Sequence, residues 1–60
     1  MNSADIKNLR WKMNLTQEQL ANLVGVSFVT LNRWENCVSN PSPLAMKKLI
    51  ELQKKLQDKS

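Results

Sequence analysis

The stretch from Leu15 to Glu35, LTQEQLANLVGVSFVTLNRWE, constrains the fold most, because it carries two helix starts and one helix stop within twenty-one residues. Thr16 is a good N-cap, and Gln19 three residues on completes a capping box. Leu15 before the cap can staple onto Leu20 after it. The first helix runs from Gln17 to about Val24 and stops at Gly25, which tolerates the left-handed backbone of a tight turn. Ser27 then caps again, with Val26 able to staple onto Leu31, and a second helix runs from Phe28 to about Asn36. Two short helices are thus joined by a turn of about three residues containing glycine.

The second helix sorts its side chains by chemistry. At about 100° per residue, Thr30, Leu31, Trp34 and Glu35 share one half, and Phe28, Val29, Asn32, Arg33 and Asn36 share the other. The first half has large apolar anchors and can pack inward. The second offers an amide, a guanidinium and two apolar groups to the outside. That set suits the major-groove edges of base pairs: arginine forks onto guanine, asparagine onto adenine, and apolar groups touch a thymine methyl. Ser27, Phe28, Val29, Asn32 and Arg33 are the candidate base-reading residues.

The stretch resembles the Cro/C1-type (lambda-repressor-like, XRE) helix-turn-helix family. The residues that carry the resemblance are Thr16-Gln17, Leu20-Ala21, Gly25-Val26-Ser27, Leu31 and Arg33-Trp34-Glu35, followed by Pro41-Ser42-Pro43-Leu44, with Arg10 in the preceding helix. It spans roughly residues 5 to 53. What it implies is an all-α bundle of four helices that binds double-stranded DNA. It also implies that Gln17, at a helix N-terminus, donates to a phosphate, where aligned amide dipoles favour an anion. A further implication is that Arg10 pairs with Glu35. Physically, an inward-facing carboxylate needs a partner, and such a pair would tie the first helix to the third.

Two departures from the family pattern follow Glu35. The family has glycine where this chain has Cys37, and basic residues where it has Val38-Ser39-Asn40. Either Cys37 takes a positive φ at some cost, or Asn36 takes the left-handed role. With the basic residues gone, Asn36, Ser39 and Asn40 are left to offer neutral hydrogen bonds to phosphate.

The remaining elements follow from local signals. Ser3 can cap a first helix with Asp5 in its first turn, and Ile6, Leu9 and Met13 lie at core spacing. Trp11 sits about 100° beyond Arg10. It could shield the core edge, lie against the last helix or touch a partner; core-edge packing is the expectation. Asn14 ends the helix in a left-handed turn. Leu20, Ala21 and Val24 form the inner face of the next helix. Ser42 caps the last helix, with Pro43 at its first position. There Leu44, Met46, Leu49 and Ile50 are expected to close the core, while Ala45, Leu49, Leu52 and Leu56 line a second stripe. The four helices fall near 3–13, 17–24, 28–36 and 43–57, in one domain over residues 1–60 with a core of about 3–57.

Composition narrows the function. Sixty residues allow one small core. The net charge of +4 fits a polyanion partner, yet residues 1–37 hold four basic and three acidic residues while residues 38–60 hold five and two. The reading helix is therefore not itself strongly cationic. The chain has no His and only one Cys, so a zinc ligand set and an internal disulfide are both impossible. That pattern, with no signal peptide and no long apolar run, leads to an expectation of a cytoplasmic protein without membrane contact. No phosphate loop, activated nucleophile or acid/base pair is visible, so no enzyme and no cofactor are expected. The expectation is a transcriptional regulator of repressor type. The alternative is the DNA-binding antitoxin of a toxin–antitoxin pair, in which Trp11 or the last helix would contact a protein. Leu52 and Leu56 extend beyond the first three helices. They could form a weak homodimer, assembled on DNA, or fold back onto Trp11 and Ile6.

Overall fold

Local capping chemistry sets where each helix begins. In the computed structural model, which describes residues 1–58, α1 spans Ser3–Lys12, α2 Gln17–Val24, α3 Phe28–Glu35 and α4 Pro43–Asp58. The fold is all-α, with no strand among the described residues. Thr16 accepts from the Gln19 N–H while Gln19 accepts from the Thr16 N–H, and Ser27 accepts from the Thr30 N–H. The cap of α1 is Asn2 rather than Ser3. Asn2 Oδ1 accepts from the Asp5 N–H at 2.9 Å, and Asp5 Oδ2 accepts from the Asn2 N–H at 3.2 Å. The reciprocal box needs an acceptor side chain three residues after the cap. Asn2 finds Asp5 there, whereas Ser3 would find Ile6.

Left-handed residues end the first three helices. Gly25 has φ 84°, Asn14 φ 57° and Cys37 φ 62°. After α1, the Leu15 N–H donates to the Arg10 carbonyl and the Asn14 N–H to that of Trp11. After α3, the Val38 N–H donates to Arg33 and the Cys37 N–H to Trp34. Both are Schellman motifs. Asn36 stays at φ −97°, so Cys37 bears the positive angle. A residue with a Cβ is held there at about 1–2 kcal/mol. Cys37→Gly removes that strain but loosens the unfolded chain by about 0.4–1 kcal/mol. A net gain of about 0.5–1 kcal/mol is expected, read as a rise of a few degrees in Tm under reducing conditions; a lower Tm would show that the Ser3 Oγ···Cys37 Sγ contact of 2.9 Å matters more.

The core is built from Ile6, Leu9, Leu20, Ala21, Val24, Leu31, Trp34, Ala45 and Leu49. The helices α2 and α3 pack on each other, α1 packs on α3, and α4 packs on α2. On α4 the stripe of Ala45, Leu49, Leu52 and Leu56 turns inward, so of the expected closing residues only Leu49 joins the core, and half-buried Met46 stays outside it with Leu44 and Ile50. Leu44 is 71% exposed and Ile50 39%. The cause is angular: the winning stripe stays within about 60°, and Leu44 and Ile50 lie about 100° or more from its centre. Trp11 is likewise 59% exposed rather than packed at the core edge. It lies on the far side of α1 from Ile6, Leu9 and Met13.

Leu52 and Leu56 are partly buried against the core, and Leu56 borders a depression with Asp5, Asn8, Leu9 and Lys12 of α1. Leu56→Glu is therefore expected to lower stability by about 1–3 kcal/mol. Cooperative binding to a duplex with two half-sites should survive it. Loss of cooperativity at unchanged half-site affinity would assign Leu56 to an interface between copies.

Candidate nucleic-acid interface

The inner half of α3 is buried through Leu31, Trp34 and Glu35. Burying Glu35 requires a cation, and α1 supplies it. Arg10 Nε donates to Glu35 Oε2 at 2.8 Å and Arg10 Nη2 to Glu35 Oε1 at 3.1 Å, a two-pronged pair. Arg10 Nη1 also donates to the Leu15 carbonyl at 3.2 Å, which fixes the α1–α2 corner to the same guanidinium. The Glu35 side chain is 1% exposed and that of Arg10 16%. This pair holds α3 at a set angle to α1, so it orients the outer face without belonging to it.

The outer half carries the residues singled out for base reading. Phe28, Val29 and Arg33 are exposed and Asn32 is half-buried. The Arg33 guanidinium makes no hydrogen bond or ion pair among the described residues, although it sits in the last turn of α3. It is the one charged group α3 leaves for an external partner, since Glu35 is spent on Arg10. Ser27 is exposed, but its hydroxyl is engaged at the start of α3. It accepts from the Thr30 N–H at 3.2 Å and lies 2.9 Å from Thr30 Oγ1. Ser27 thus caps the helix, and its base-reading role competes with that duty.

The residues expected to meet phosphates divide. Asn36, Ser39 and Asn40 are exposed, and Ser39 and Asn40 use neither side chain in a hydrogen bond among the described residues. Gln17 differs from its expected role. Instead of pointing outward, its amide donates to Glu35 Oε1 at 3.1 Å and to Asn32 Oδ1 at 3.3 Å. A buried carboxylate is the stronger acceptor, and it draws the amide inward. Asn36 Nδ2 donates to the same Asn32 oxygen at 3.1 Å. Sequence reasoning gave the Arg10–Glu35 link but missed its continuation through Gln17 to Asn32 and Asn36. Gln17 lies 18 residues from Glu35 and 15 from Asn32 in sequence, and no local pattern marks those two links.

A helix presenting an unpaired arginine, an amide and two apolar groups, braced from behind by a second helix across a glycine turn, defines a helix-turn-helix DNA-binding domain. The model of the family described as Helix-turn-helix matches residues 6–52. The chain belongs to that family, the Cro/C1-type helix-turn-helix proteins, and double-stranded DNA binding comes with it. No curated protein and no solved structure matches the chain. No helix among the described residues is long and apolar enough to cross a membrane.

Proposed function

We propose that the chain acts as one sequence-specific DNA-binding domain of a transcriptional regulator, repressor in type, reading the major groove with the outer face of α3. The observation that carries this reading is the Arg33 guanidinium, exposed and unpaired on the half of α3 that also carries exposed Phe28 and Val29 and the Asn32–Asn36 amides. Arg33 forks onto guanine, and Phe28 and Val29 meet a thymine methyl. Asn36, Ser39 and Asn40 supply neutral phosphate contacts. Repression would be steric, by occupying the operator in the cytoplasm, with no chemistry on the DNA.

Arg33 is the direct test. Arg33→Ala should cost about 1–3 kcal/mol on the best duplex and erase preference at one base pair. Selection from random duplexes, compared between wild type and variant, reads this. Uniform weakening on every sequence would show a phosphate contact instead. With few cations facing the groove, affinity for random duplex should fall only shallowly with salt, at about 0.9 in log–log slope per phosphate neutralised.

A second reading, the DNA-binding antitoxin, is favoured by one observation. Trp11 stands exposed on α1, outside the residues named for reading DNA. A protein partner seated there would quench or blue-shift Trp11 emission without displacing DNA, and Trp11→Ser would abolish that partner's binding while leaving operator affinity intact.

A further inference from the structure

The buried carboxylate of Glu35 decides how two amides are turned. Gln17 Nε2 lies 3.1 Å from Glu35 Oε1. Turned over, that amide would set its carbonyl oxygen against a carboxylate oxygen, so the NH2 group must face Glu35. The same NH2 lies 3.3 Å from Asn32 Oδ1. Turning Asn32 over would set two NH2 groups face to face, and would also oppose Asn36 Nδ2, which lies 3.1 Å from that oxygen. The orientation of Asn32 is therefore compelled from the core outward, by a charge it does not touch. Its carbonyl oxygen holds two donors and has no lone pair left.

The Asn32 NH2 makes no hydrogen bond among the described residues, and no buried side-chain nitrogen or oxygen there lacks a partner. This NH2 therefore meets solvent, on the half of α3 that carries Phe28, Val29 and Arg33. A free asparagine recognises adenine by giving one hydrogen bond and accepting another. Asn32 can only give. We infer that Asn32 is a donor-only reader that selects guanine, whose N7 and O6 both accept, over adenine, with Gln17 as the positioning residue that enforces the choice. This inference rests on the proposed groove-reading role of α3. It reverses the adenine preference that the residue type alone suggests.

The test is selection from random duplexes with wild type, Asn32→Ala and Gln17→Met, each first checked for a folded melting transition. Asn32→Ala locates the base pair concerned as the one whose preference it loses. At that pair wild type should favour guanine over adenine by about fivefold or more. Gln17→Met keeps the length of the side chain but removes its donors, which leaves Asn32 Oδ1 with the Asn36 donor alone and one lone pair free. The guanine preference should then shrink at that pair alone, and adenine should gain. A wild-type preference for adenine there, or a Gln17→Met selection identical to wild type, overturns the inference while α3 reading stands. Equal weakening by Asn32→Ala on every sequence also overturns it, because the donor then goes to phosphate. A wild type that selects no sequence removes the groove-reading function itself, and the inference with it. If Gln17→Met does not fold, a selected duplex with 7-deazaguanine at that position, which lacks the N7 acceptor, decides. Wild type should lose about fivefold on it and Asn32→Ala nothing further; equal wild-type affinity for the two duplexes overturns the inference.

Discussion

Arg10→Met should unfold much of the protein at physiological temperature. The substitution keeps the apolar stem of the side chain and removes the guanidinium that donates twice to Glu35. Among the described residues, Gln17 is then the one side chain still donating to a carboxylate that is 1% exposed. Breaking a buried pair from one side costs about 3–5 kcal/mol. A domain of sixty residues has only about 3–9 kcal/mol to lose. The two partners are not equivalent. Glu35→Gln strands an arginine that is 16% exposed and can reach water, so it should cost less than Arg10→Met. The double variant carries no buried charge and should recover part of the Arg10→Met loss, a coupling of about 1–3 kcal/mol. Urea unfolding of the four proteins measures the cycle. If Arg10→Met unfolds at the wild-type midpoint, the carboxylate finds water and the pair does not hold the helices.

The helix-turn-helix was legible because its signals are local. Thr16 with Gln19, Gly25, and Ser27 each act within four residues of themselves, and α2 begins and ends where they direct. The start of α1 was ambiguous for an equally local reason: Asn2 and Ser3 can both cap, and only Asp5 at the third position after Asn2 decides between them. The last helix was harder. Its apolar residues form two overlapping stripes, and which one turns inward depends on how α4 lies across the other helices. Leu44 and Ile50 carry core-like hydrophobicity that the packing does not use. Trp11 is the same case on α1, an aromatic expected at the core edge whose helical angle points outward. The Arg10–Glu35 contact could be anticipated from the resemblance and from the need of an inward carboxylate for a cation. The turning of Gln17 toward Glu35 and Asn32 could not, since it depends on α2 and α3 crossing at one point.

Leu31→Ala should separate the two halves of α3 by experiment. Leu31 is fully buried beneath the outer face, so truncating it leaves the DNA-facing side chains in place but opens a cavity among α1, α2 and α3. Such a cavity costs about 2–5 kcal/mol. The unfolded fraction rises, and apparent affinity falls with it, although the folded molecules bind as before. DNA then acts as a stabilising ligand. Duplex at a hundred times Kd returns about 2.7 kcal/mol, which offsets much of the damage. Leu31→Ala should therefore melt well below wild type when free and much nearer to it with saturating operator. It should also select the same sequence as wild type. Arg33→Ala should do the opposite, with an unchanged free melting temperature, a smaller gain on adding DNA and an altered selected sequence. Melting with and without duplex, for both variants, places each residue on its side of the helix. A Leu31→Ala protein that folds normally yet selects a different sequence would mean that the inner face sets the position of the outer one more finely than a packed anchor requires.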